Sequence, residues 1–257
     1  MTNEYILRTA LAQSAVDMNC RPEDFSKSEN VIVQSAENDG ARKYLQLPFG
    51  CNLVTYGGNI VASVGDKRLI KHVENYVSAK PVYRCFETPY ILDFNDTLKK
   101  FGLRITCMAE YFLPDLKILS ELPCAYEIRI LRPAEFKNLY LEEWSNALCK
   151  DRRHLDEIAV GAYDGNKLIA LAGASADCES MYQIGVDVLP EYRGKGVAGA
   201  LTSRIALEIL NMGKVPFYCA AWSNIKSVKN AVKCGFRPAW VELTAKKIVS
   251  NNEEKEP

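Results

Sequence analysis

Gln183-Ile-Gly-Val-Asp-Val-Leu-Pro190-Glu-Tyr-Arg193-Gly-Lys-Gly196-Val-Ala198-Gly-Ala-Leu201 reads as a short β-branched strand, a proline-marked turn, a glycine-rich loop, and a helix opening directly out of that loop. Val197, Leu201, Ile205 and Ile209 recur every fourth residue and line one apolar helix face, and Asn211-Met-Gly213 is a C-terminal stop. Such a loop leaves the backbone N–H groups of Gly194, Gly196, Val197 and Ala198 unpaired at the positive end of a helix dipole. Those donors suit a phosphate-bearing ligand, glycine lets the backbone approach it closely, and Arg193 and Lys195 add positive charge. From the glycines alone, a surface turn with two solvated basic residues is the better explanation of the stretch. Neither the dinucleotide pattern G-x-G-x-x-G nor the P-loop pattern G-x-x-x-x-G-K-[ST] is present.

The composition of the whole 257-residue chain is that of an ordinary globular protein, 48% apolar and 25% charged, long enough for two modest domains or one elaborated domain. Lys+Arg and Asp+Glu are both 32, so net charge offers no case for nucleic acid or an anionic membrane. No run of eighteen apolar residues and no basic, apolar leader occur, and the expected location is cytoplasmic. Nine cysteines without a C-x-x-C pair, and two histidines, argue against a disulfide framework and a zinc site, so no metal is expected. Most of the cysteines read as small buried apolar residues.

In the first half, residues 5–19 are spaced as a helix and Val31–Val33 as a strand. Cys51–Tyr56 and Asn59–Val64 flank Gly57-Gly58 as a hairpin, Asp66 opens a helix, Thr88–Lys100 suggests another, and Arg104–Phe112 reads as a strand. Pro114 and Pro123 place a boundary near 124, giving an N-terminal α/β domain over 1–124, a second over 125–250 and a polar tail over 251–257. The second domain reads as strand 126–131, a helical region from Pro133 to about Leu148, and a hairpin with an Asp164-Gly165 turn. The central strand 181–188 and the opening stretch follow, then strand 215–222, helix 224–233 ending at Gly235, and strand 237–245.

Val188-x-Pro190-x-x-Arg193-Gly-x-Gly196-x-Ala198 resembles the acyl-CoA signature of the GNAT superfamily of acetyl-CoA-dependent N-acetyltransferases. A second motif, Asn224-x-x-Ser227 with Gly235-Phe236, stands at the family's spacing, and the β-α-β-β-β-α-β-α-β order over 126–245 is similar to its fold. The resemblance implies an α/β (α+β) architecture: a mixed, mostly antiparallel twisted sheet flanked by helices. The loosely similar element order of 1–124 leaves that half as either a degenerate GNAT-like copy without cofactor or an unrelated α/β cap, serving the acceptor side or regulation.

The same resemblance implies acetyl-CoA as cosubstrate. Main-chain groups of Val186 and Val188 would face the acetyl carbonyl and the pantetheine arm. The Arg193–Ala198 backbone would hold the pyrophosphate, and Asn224 and Ser227 would bind the arm from the other side. Two positions depart from the family. The acid tyrosine seven residues after the motif asparagine is Ala231 here, and the carboxylate early on the fourth strand is Gln183, which cannot take a proton. Gln183 itself, Asp187 on the same strand face, Glu142, Glu143, His154, Tyr182, Tyr218 and Cys219 remain as substitutes. For those replacing the missing groups, a solvated carboxylate, packed aromatic or small buried thiol is the competing explanation. The expected function is transfer of an acetyl group to a primary amine of a small molecule or peptide by direct attack on the thioester. The alternative is an acyl-CoA-binding module with weak or lost catalysis and a regulatory N-terminal domain. The acceptor and the oligomeric state, a homodimer included, stay open.

Overall fold

A computed structural model describes residues 1–248; the tail expected over 251–257 lies outside them. In chain order the elements are α1 (Asn3–Met18), β1 (Val31–Gln34), β2 (Cys51–Thr55), β3 (Val61–Val64), α2 (Lys67–Ser78) and α3 (Tyr90–Lys99). They continue as β4 (Leu103–Pro114), β5 (Glu127–Leu131), α4 (Pro133–Phe136), β6 (Asp156–Asp164), β7 (Lys167–Ser175) and β8 (Met181–Val188). The last are α5 (Val197–Asn211), β9 (Val215–Ala220), α6 (Ile225–Lys233) and β10 (Phe236–Lys247).

Two compact units form: Met1–Ala10 with Tyr111–Ala239, and Leu11–Glu110 with the chain from Trp240 onward. The sequence suggested one boundary near 124, at the prolines. The division falls instead inside β4 and β10, because each is a 12-residue strand that begins in one unit and ends in the other.

In the unit built on Leu11–Glu110, β1 runs parallel to β3, β2 antiparallel to β3, and residues 241–245 of β10 antiparallel to β2. Leu69, Val73 and Val77, four apart, form the buried stripe of α2, whose N-terminus is capped by Asp66 accepting from the Arg68 N–H. They pack with Leu53, Ala62, Val64, Phe94, Leu98 and Leu243. The expected tight Gly57-Gly58 turn is a longer loop. Val54 pairs with Val61, and Thr55 Oγ1 accepts from Gly57 N and donates to Asn59 O, so side-chain bonds close a wider connection. Arg42 is buried between Asp17 and Glu242, which also accepts from Trp240 Nε1.

In the other unit, the sheet order is β10-β4-β9-β8-β7-β6-β5. Strands β5 to β8 are antiparallel neighbours, and β8 and β9 are parallel, joined through α5. A parallel pair needs a crossover of this length, which is why a helix follows the glycine loop. The other unit reaches its parallel pair differently, since β1 precedes the β2–β3 hairpin rather than following it through a helix. The α5 stripe of Val197, Leu201, Ile205 and Ile209 packs on Val160, Ala162, Ala170, Ala172 and Ile184. Asp164 pairs directly with Lys167, so the β6–β7 turn centres on Gly165 (φ 59°) and Asn166 rather than on Asp164-Gly165.

The helical region expected from Pro133 to Leu148 is one short helix, α4, followed by irregular chain and single turns. The cause lies on the sheet face opposite α5. A Cβ on Gly173 would lie 1.9 Å from the Ala147 carbonyl oxygen, and one on Gly185 would lie 1.7 Å from that of Asn146. Backbone lies directly on backbone here, which only glycine permits below and only irregular chain achieves above.

Candidate functional site

Strands β8 and β9 pair over Met181–Ile184 and Val215–Tyr218, and then β8 continues without β9 as far as Val188. Which peptide groups that exposes follows from two hydrogen bonds. Leu189 N–H donates to the Ile169 carbonyl of β7 (3.0 Å), and the Ser180 carbonyl accepts from Val215 N–H of β9 (2.9 Å). Peptide groups alternate sides along a strand, so odd-numbered residues of β8 face β7 and even-numbered ones face β9. Beyond Ile184 the even-numbered Val186 and Val188 therefore turn their N–H and C=O groups into the gap. There the Val188 carbonyl accepts from Arg193 Nε at 2.9 Å.

The gap leads to the glycine loop. Gly194 (φ 78°) and Gly196 (φ 81°) are left-handed, and a Cβ on either would meet nothing within 4 Å. Glycine is thus demanded by the turn, and the space above it is open for an anion. Ala200 N–H is bonded to the Gly196 carbonyl, which leaves the Val197 and Ala198 amides at the N-terminus of a 15-residue helix with no intrahelical carbonyl to meet. Tyr192 braces the loop: its hydroxyl donates to Asp164 (2.9 Å), and the Lys167 and Lys195 ammonium groups lie 5.3 and 4.8 Å from its ring centre. Lys167 also pairs with Glu191 at 2.8 Å.

On the α6 side, Asn224 caps the helix through Oδ1, which accepts from Ser227 N–H at 3.3 Å. The Ser227 hydroxyl lies 2.9 Å from the Tyr218 hydroxyl, whose acidity burial weakens further. Ala231, one turn beyond Ser227, is fully buried. Tyr182 is likewise a packed core side chain, with its phenol raised by burial.

On the opposite face, Asp187 is committed to structure. Its carboxylate accepts from Asn146 N (2.9 Å), Asn146 Nδ2 (2.7 Å) and Ala147 N (2.9 Å), and so holds down the segment that lies over Gly173 and Gly185. Gln183 Nε2 donates to Cys219 Sγ at 3.2 Å, at the mouth of the gap. Glu142, Glu143 and His154 are exposed on short turns of the overlying segment.

Sequence reasoning overlooked Asp156. It is 4% exposed, begins β6, and pairs with Ser175, which pairs with Gln183. Cross-strand partners point the same way, so Asp156, Ser175 and Gln183 form a polar row across three strands, with Cys219 at its open end. Asp156 accepts from Cys149 N–H (3.2 Å). Burial pushes its carboxyl up to about 6, and the charge of Asp177 adds to the rise. Asp177, fully buried, accepts from Ser175 Oγ (3.1 Å) and from Arg152 (3.2 Å). A β-bulge at Glu157 sets this alignment, and no local pattern announces it.

Among the described residues, no three or more His, Cys, Asp or Glu side chains are grouped to hold a metal ion, and no helix is long and apolar enough to cross a membrane. The arrangement offers an anion cradle, an unpaired strand edge beside it and a polar row at the far end of that edge.

The chain is similar in structure to a GCN5-related N-acetyltransferase-like protein from Streptococcus suis, at 21% identity and a TM-score of 0.44 over 62% of this chain and 69% of that one. A GCN5-related N-acetyltransferase from Kribbella flavida gives 14% identity and a TM-score of 0.47 over 61% and 64%. A Drosophila protein matches more of the length, 95% and 90%, at 14% identity and a TM-score of 0.44. A search of curated proteins finds no match. The family model described as GNAT acetyltransferase matches residues 91–239, more than half of the 257, and the chain belongs to that family.

Proposed function

We propose that the protein is an N-acetyltransferase that moves an acetyl group from acetyl-CoA to a primary amine of a small molecule or peptide, by direct attack on the thioester. The observation that carries this reading is the unpaired edge of β8 running into the loop at the start of α5. Main-chain N–H and C=O groups at Val186 and Val188 can pair with the amides of an extended arm as a further strand would. The loop amides from Gly194 to Ala198, with the Arg193 and Lys195 charges, suit the pyrophosphate at the other end, whereas the Arg193 N–H, expected among these donors, is taken by the Pro190 carbonyl. Val186 N–H is the donor assigned to the acetyl carbonyl, where negative charge grows as the amine adds. The amide nitrogen of Asn224, whose oxygen is the helix cap, completes the arm's contacts from α6, and Ser227 supports them through its bonds to Asn224 and Tyr218. Gln183 is assigned to acceptor positioning, since its amide hydrogen-bonds without taking a proton. Asp187 is left out of the chemistry, because both of its oxygens already hold Asn146 and Ala147.

Release of free thiol from acetyl-CoA across a panel of primary amines tests the reading. The expected result is amine-dependent release. Tight binding of acetyl-CoA with no release on any amine would make the protein an acyl-CoA-binding module instead.

A further inference from the structure

We propose that the buried carboxylates Asp156 and Asp177 store the proton that the acceptor amine must shed, and that the Ser175 hydroxyl connects them to the site. The inference rests on the acyl-transfer reading and adds to it the group that the Gln183 position lacks. Three observations support it. The row Asp156–Ser175–Gln183 is fixed by strand register, so neighbouring side chains stand roughly 5 Å apart on one face. The row is graded in exposure: Gln183, Ser175 and Cys219 are part-exposed, while Asp156 is 4% and Asp177 0% exposed. Its open end is where β8 and β9 separate. A buried polar row on an otherwise apolar and glycine-lined face is costly unless its members are bonded or used.

Ser175 Oγ donates to Asp177 Oδ1 and is the cross-strand partner of Asp156, so rotation about its Cα–Cβ bond can present the hydroxyl to either carboxylate. The groups facing Asp156 are Tyr140, Cys149, Arg152 and Asp177. Arg152 pairs with Asp177, which assigns the exchangeable proton to Asp156, the carboxyl that burial pushes up to about 6.

In the step itself, R–NH3+ gives one proton through Ser175 to the carboxylate pair. The neutral nitrogen then bonds the thioester carbonyl carbon, and the C–S bond breaks. The departing thiolate takes the second proton that nitrogen sheds, and Asp156 returns the first to solvent. The products are the amide, the thiol and one proton. Asp156 acts through Ser175, so it is a positioning and proton-holding residue rather than one that touches substrate.

The test uses the whole chain with Asp156→Asn, which keeps an oxygen for Cys149 N–H, and Ser175→Ala. Acetyl-CoA affinity by calorimetry, expected within twofold of wild type, checks that each variant is folded. Acceptors are the best primary alkylamine among ethanolamine, tyramine and spermidine, cationic at pH 7, and hydroxylamine, neutral there. With the alkylamine, Asp156→Asn should lower kcat about 100-fold at pH 7 and abolish the acidic limb expected of wild type near pH 6. Hydroxylamine turnover should change less than threefold, a contrast that structural damage would not produce. Ser175→Ala should fall about tenfold with the alkylamine only, and it decides the matter should Asp156→Asn not fold. An unchanged alkylamine rate and acidic limb, or equal losses on both acceptors, overturns the proton store and leaves the acetyltransferase reading standing. Wild-type protein that turns over neither acceptor overturns both.

Discussion

Gly185→Ala should be among the most damaging single-methyl additions in the unit that carries the cleft. The new Cβ would lie 1.7 Å from the Asn146 carbonyl oxygen and 2.7 Å from its carbon, whereas real Cβ contacts stay beyond 3.0 Å. Backbone cannot rotate away as a side chain can, so the segment must lift off β8 or the strand must bend. Overpacking of this kind costs about 1–3 kcal/mol. Lifting Asn146 and Ala147 also strains the three hydrogen bonds that Asp187 accepts, worth about another 1 kcal/mol at a part-exposed site. The sum of about 3 kcal/mol should lower Tm by about 6–12 °C for a chain of this size. Differential scanning calorimetry and urea unfolding measure it, with Gly58→Ala, where the Cβ meets nothing within 4 Å, as the control expected within 0.5 kcal/mol. Asp187→Asn alone should cost about 1 kcal/mol, and the double variant less than the sum, because both act on the same two peptides. A Gly185→Ala loss below 0.5 kcal/mol, or strict additivity with Asp187→Asn, would refute the picture of a backbone strap seated on glycine and tied by a carboxylate.

Gly196→Glu should abolish measurable acetyl-CoA binding in calorimetry, because it places a carboxylate in the anion cradle and a side chain at φ 81°; unchanged affinity would remove the loop from the site. Arg42→Met leaves Asp17 and Glu242 buried without their cation, so urea unfolding at pH 7 should show a loss of about 3–5 kcal/mol, and a loss below 1 would contradict it. Asp156 should make the protein less stable as pH rises from about 4 to 6. Its folded-state value near 6 lies above the unfolded one, so the native state binds the proton more tightly and that advantage is lost over this window, by at most about 3 kcal/mol. In Asp156→Asn, the difference between pH 4 and pH 7 stabilities should shrink accordingly, and an unchanged difference would falsify the assignment.

The anion loop was legible because its signal is local: Gly194, Gly196 and the four-residue stripe from Val197 to Ile209 lie within one short stretch. Likewise the caps at Asp66 and Asn224 and the strands β5 to β10 follow from neighbouring residues. What stayed hidden depends on partners distant in sequence. Asp187 reads as a free carboxylate until Asn146 and Ala147, about forty residues earlier, are seen bonded to it. The helix expected up to Leu148 was cancelled by Gly173 and Gly185, whose missing side chains invite irregular backbone against the sheet. Asp156 was missed because a carboxylate at a strand start ordinarily faces water, and only the bulge at Glu157 turns it inward beside Ser175.

The two units are interleaved along the chain, and this orders events during synthesis. Residues Leu11–Glu110 of one unit are made well before the strand that pairs with β2, residues 241–245, leaves the ribosome. Until then the β2 edge is unpaired, and Arg42 has Asp17 beside it but lacks Glu242. Meanwhile the cleft-bearing unit can gather α5 and β5 to β9 while that nascent half waits with an open edge. Translation therefore lets the cleft-bearing unit gather most of its strands first, and the β2 edge stays open until β10 emerges.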